Sequence, residues 1–142
     1  MAKYELSDAV TLFTAEATTI GNLWTVYVVA TFAAAGYGIS ASPSSVIQAG
    51  AVSLGFAAFA FGNWKLLKQA LLISRTLQGE IRSTVISNPD IQFKSSIMAL
   101  AATANPPWIS LVIHLFIDAC VIVAIWTRVP EAAQLSRSVF GP

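Results

Sequence analysis

Charge is what this chain has least of. Of its 142 residues only 11% are Asp, Glu, Lys or Arg, against the quarter or so that a water-soluble domain carries. With 56% hydrophobic residues and a mean hydropathy of +0.68, that deficit excludes an ordinary soluble globular domain. The 8 cations are nearly balanced by 7 acids, so a formal charge of +1 leaves no basic field to neutralise phosphates, and nucleic acid drops out as a partner. Cysteine occurs once, at Cys120, which rules out an intrachain disulfide and any CxxC metal motif. Histidine also occurs once, at His114, which leaves a single imidazole to serve as base or ligand. The chain has no GxSxG elbow, no phosphate-cradling glycine loop and no HExxH motif. Cys120, six positions from His114 and on a different helical face, lacks a base and is expected to pack as a small hydrophobe. These absences predict a chain that is not an enzyme and carries no metal or other cofactor.

What remains is long apolar sequence. A helix needs about 20 apolar residues to cross a hydrocarbon core roughly 30 Å thick. Three segments qualify, at about 20–39, 46–67 and 108–127, and they predict an all-α integral membrane protein forming a single membrane domain over 1–142. The third is best delimited. Pro106 and Pro107 stand where a missing amide costs nothing, and Trp108 and Trp126 lie about 27 Å apart along a helix, matching two interfacial aromatic belts. A barrel is disfavoured because no alternating pattern of about ten residues recurs. An A-x-A-like site at Ala33 and Ala35 raises a signal-peptide reading, but the region before that apolar run is long and acidic where a basic one is expected.

Six of the 8 cationic residues, Lys3, Lys65, Lys68, Arg75, Arg82 and Lys94, fall before the first span or around the loop between spans two and three. The link from Gly36 to Ser45 has no charge. The positive-inside rule therefore places the N-terminus and the long loop in the cytoplasm, with Arg128, Arg137 and the C-terminus outside. Leu6, Val10, Phe13, Ala17 and Ile20 recur at helical spacing, so the first helix is expected to begin near Ser7 as an amphipathic extension.

The loop at about 68–106 is patterned. Leu67, Ala70, Leu71, Ser74, Leu77, Ile81 and Val85 form a mostly apolar stripe, so the second helix should continue toward Val85. Asn88, Pro89 and Asp90 resemble a helix opening, followed by Phe93, Ile97, Leu100 and Ala101 on one side up to Ala104, with Asn105 and two prolines closing it. These amphipathic cytoplasmic helices either pack on each other or lie at the headgroups, or else present Leu71, Leu77 and Ile81 as a docking face for a partner.

Small residues allow helices to approach closely in lipid. Ala51, Gly55, Ala58 and Gly62 share one face of the second span, and Ala30, Ala34 and Gly38 form a similar strip on the first. An intrachain hairpin accounts for both, with self-association between copies as the alternative.

Ionisable residues within a span normally face other helices or water. Ser110, His114 and Asp118 line one face of the third span, and the expected companions are Asn22 and Thr25, beside Thr18, on the first helix and Asn63 on the second. This arrangement suggests a wet vestibule open to the cytoplasm and sealed outward, through which a proton or small cation reaches Asp118. The plainer account has His114 and Asp118 satisfying each other and fixing helix rotation. The leading expectation is a non-enzymatic membrane protein, either a homo-oligomer or the small subunit of a membrane complex, with a proton- or ion-conducting polar inner half. A structural or docking component is the alternative. A haem-binding redox subunit, with His114 as axial ligand, is the third.

Overall fold

The computed structural model describes residues 2–40, 45–103, 106–127 and 129, and side chains from residue 6 onward within them. Among these residues the chain is all-helical, with four helices: α1 (Ala2–Ser40), α2 (Val46–Ser87), α3 (Lys94–Ala101) and α4 (Pro107–Thr127). Expectations concerning Arg128, Arg137, Ala104 and Asn105 lie outside the described residues.

Proline sets the breaks. None occurs before Pro43 or between Pro43 and Pro89, so α1 and α2 run uninterrupted for 39 and 42 residues, about 58 and 63 Å. α1 therefore starts well before Ser7. Its threonines do not oppose the helix, because Thr11, Thr14, Thr18 and Thr19 each donate the side-chain hydroxyl to the carbonyl four residues back, at 2.9–3.1 Å. Three helices are long and apolar enough to cross a membrane, at Leu6–Ser40, Val46–Ser87 and Pro107–Thr127. Only 11%, 28% and 22% of their most apolar windows is buried within the chain, so these apolar residues are not the interior of a water-soluble core.

The described chain gathers into two compact units. The first is built on Met1–Trp24 and Lys65–Ser110. Its core joins Phe13 of α1, Ile81 and Val85 of α2 and Ala101 of α3, with Leu6, Val10, Leu77 and Ile97 packed around them. The apolar stripe on the C-terminal half of α2 is thus covered by this chain's own α1 and α3. Leu71 and Ile81 are buried and Leu77 is half-buried, so the expected docking face is interior. Gln78 pins α3 by donating from Nε2 to the Ala101 carbonyl at 2.6 Å.

The opening of α3 differs from expectation. Asn88 donates its side-chain amide to Thr84 O at 2.9 Å, and so closes α2 instead of capping a new helix. Residues 88–93 form turns, and α3 begins at Lys94 after Phe93, which holds a left-handed φ of 60°. A non-glycine residue there costs roughly 1–2 kcal/mol, and the Phe93 side chain is 76% exposed and contributes little packing in return. Phe93→Gly is therefore expected to raise stability by about 1 kcal/mol. Unfolding in mixed micelles by SDS titration measures this, and a lowered midpoint would show that the phenyl ring is held.

The second unit is built on Thr25–Trp64 and Leu111–Pro142. Ala49 and Phe56 of α2 pack with Val121, Ile125 and Val129, while Ala34 and Ala35 of α1 close on them. Tyr27 meets His114 and Gly38 meets Ile125, so α1 and α4 run parallel here. Asn63 meets His114 and Ser53 meets Trp126, so α2 runs antiparallel to α4.

The small residues divide between two outcomes. Gly38 is buried against α4, where a Cβ would lie 2.9 Å from Ile125 Cγ1. Ala51, Gly55, Ala58 and Gly62 are all exposed, and a Cβ at either glycine meets nothing within 4 Å. An intrachain hairpin therefore does not account for the stripe on α2, whose inward face carries Ala49, Phe56, Ala60 and Asn63 instead.

Candidate functional site

The polar centre of the second unit is built from one face of each of three helices. On α1 the face is Tyr27, Thr31, Ala34 and Gly38, and on α4 it is His114, Asp118, Val121 and Ile125. Both sets advance by four, three and four residues, so both keep one face along the contact. α2 contributes Asn63 and Trp64.

Tyr27 is fully buried, at 0% exposure, and its ring lies 4.0 Å from that of His114 with 30° between the planes. Its hydroxyl donates to Asp118 Oδ1 at 2.8 Å and also approaches the His114 carbonyl at 3.3 Å. A phenol has one proton to give. The shorter contact assigns it to Asp118 Oδ1. Thr31, one turn on, donates its hydroxyl to the Tyr27 carbonyl at 2.8 Å.

His114 is 1% exposed. The Trp64 ring lies 5.8 Å from it, tilted by 56°, and the Asn63 side-chain nitrogen is 3.5 Å from His114 Nε2. That contact is long for a hydrogen bond; the amide donates across it when the imidazole proton is on Nδ1. Asp118 is half-buried. Among the described residues, every fully buried side-chain nitrogen or oxygen has a hydrogen-bond partner.

Of the residues expected from sequence, His114, Asp118 and Asn63 are brought together. Ser110 is buried on α4 at 6% exposure. Asn22 and Thr25 are exposed, so the α1 contribution comes from Tyr27, which the sequence reading passed over. A tyrosine well inside an apolar span, away from the aromatic belts, was the available signal, because a buried phenol needs an acceptor. Within the second unit His114 and Asn63 are buried, whereas Asp118 is half-buried. Cys120, expected to pack inside, is exposed. Among the described residues no three His, Cys, Asp or Glu side chains come together, and Tyr27 is the residue in contact with both His114 and Asp118.

Comparison with known protein families, curated proteins and solved structures finds no match to this chain. The class it belongs to rests on its own features: an all-helical protein with three helices long and apolar enough to span a membrane.

Proposed function

We propose that the chain is a non-enzymatic, multi-pass membrane subunit with its N-terminus in the cytoplasm, and that Asp118 is an occluded site for an exchangeable proton or small cation. The carrying observation is the Tyr27–Asp118 bond between α1 and α4, at 2.8 Å. With Trp108 and Trp126 at the two interfaces, Asp118 lies ten residues beyond the first and eight before the second, about 15 and 12 Å along the helix. A carboxylate at that depth costs roughly 2.5–3.5 kcal/mol on insertion scales. Such a group is a functional hypothesis by default, and here it has a named partner. Burial of the cluster supports binding and release over an open water-filled path.

Assembly with other copies, or with the other subunits of a complex, accompanies this reading. Each long helix exposes a broad apolar face, and the exposed Ala51, Gly55, Ala58 and Gly62 on α2 offer a neighbouring helix a close approach. A docking role through Leu71, Leu77 and Ile81 loses support because those side chains face the first unit's interior. A haem iron on His114 Nε2 would have to displace the Asn63 amide beside it.

In proteoliposomes, Asp118→Asn is expected to abolish a pH-dependent flux that the wild type supports, while leaving the detergent-solubilised assembly at the same mass. Equal flux in the two proteins would remove Asp118 from the reading.

A further inference from the structure

A proton and a metal cation make different demands on a buried carboxylate. A cation that sheds its water needs several oxygen lone pairs converging on one point. Within membrane bundles those oxygens commonly come from unwound helix, where the break frees backbone carbonyls. Among the described residues, no break in a helix lies beside Asp118. α1, α2 and α4 are continuous where they carry Tyr27, Asn63 and His114, so the carbonyls at these positions belong to helical ladders. The His114 carbonyl is the helical acceptor for the Asp118 amide, four residues on.

The side chains carry the same message. The Tyr27 hydroxyl directs hydrogen, not a lone pair, at Asp118 Oδ1. The Asn63 contact to the imidazole is through its nitrogen, 3.5 Å from Nε2. The titratable groups facing one another are Tyr27 from α1 and His114 and Asp118 from α4, while α2 adds the neutral Asn63 and Trp64. Among the described residues, the one side-chain contact to the carboxylate is thus a hydrogen-bond donor, the Tyr27 hydroxyl, and not a further oxygen lone pair that a cation would need.

We infer that the species exchanged at Asp118 is a proton and not a metal cation, and that Tyr27 is the positioning residue whose hydroxyl, by donating to Oδ1, orients the carboxyl group. This rests on the reading of Asp118 as an exchangeable site and names its ligand. Protonation forms an O–H bond on Asp118, and Tyr27 then keeps its own proton and turns to a neutral acceptor or to the His114 carbonyl. No other group changes its proton count.

Dicyclohexylcarbodiimide tests this in the full-length protein in liposomes. The reagent enters lipid and adds to protonated carboxyl groups, giving a stable N-acylurea that mass spectrometry locates, with Asp118→Asn as the unlabelled control. Labelling of Asp118 is expected to rise as pH falls and to be the same in sodium, potassium, lithium or choline chloride. Tyr27→Phe keeps the ring against His114 and loses only the hydroxyl. At a pH where the wild type labels sparsely, this variant should label about tenfold more, in line with loss of a hydrogen bond to a charged group. Protection by any metal cation would overturn the proton assignment while leaving Asp118 an exchangeable site. Equal labelling of Tyr27→Phe and wild type would reduce Tyr27 to a packing residue. No labelling of the folded wild type at any pH would remove the exchangeable site itself.

Discussion

Tyr27→Ala is expected to destabilise the bundle by about 3–4 kcal/mol, most of it through packing and little through the lost hydroxyl. In lipid the usual transfer gain on burying apolar surface is absent between helices, so van der Waals contact carries more of the association. Removing the phenol empties roughly 100 Å³ beside His114, and at about 24 cal/mol per Å³ of cavity the cost is near 2.4 kcal/mol. The bond to Asp118 adds about 0.6–1.7 kcal/mol, the range found for polar contacts between membrane helices. Tyr27→Phe removes only that second part. SDS titration of the purified protein separates the two: a small step for phenylalanine and one several times larger for alanine. Equal losses for both variants would mean that the hydrogen bond, not the ring, joins α1 to α4, and would transfer to the Asp118 contact the stability assigned here to packing.

The three long apolar helices and the long continuation of α2 were legible because apolar run length and proline positions are local properties. The rotation of α1 was not. Sequence pattern drew attention to Thr18, Asn22 and Thr25, where polar side chains cluster, yet the face turned to α4 is Tyr27, Thr31, Ala34 and Gly38. Hydroxyls mislead here because a threonine can spend its donor on its own helix, as Thr18 does on Thr14 O at 3.1 Å. A tyrosine cannot fold back in this way; its hydroxyl stands too far from its own backbone. The α2 stripe was ambiguous for another reason. Small residues at four- and three-residue spacing signal close approach to some helix, and only the structure shows that Asn63, one residue from Gly62, faces inward while Gly62 does not. The turn at Asn88 shows the same limit, since a side chain able to cap the helix after it is equally able to close the one before.

Gly38 marks where α1 and α4 come closest, and enlarging it is expected to cost about 3 kcal/mol as leucine and about 1 kcal/mol or somewhat more as alanine, the range for overpacking. Two contacts would resist the new Cβ: Ile125 Cγ1 at 2.9 Å and Ile125 Cα at 3.2 Å. Their natures differ. The first is the flexible part of a side chain and can rotate away; the second is backbone within α4 and can yield only if the two helices separate. In an Ile125→Ala background, which loses core packing of its own, Gly38→Ala should therefore cost less than in the wild type, because the Cγ1 contact is gone, and keep the part set by the Cα. Such separation also draws Tyr27 away from Asp118, because both contacts lie on the same pair of faces, eleven residues apart on α1. Gly38→Leu is thus expected to raise carbodiimide labelling of Asp118 as Tyr27→Phe does, although position 38 touches neither group. A double mutant as stable as Ile125→Ala alone would place the whole strain in the Ile125 side chain, and an unchanged labelling profile in Gly38→Leu would show that the glycine contact and the polar cluster are held independently.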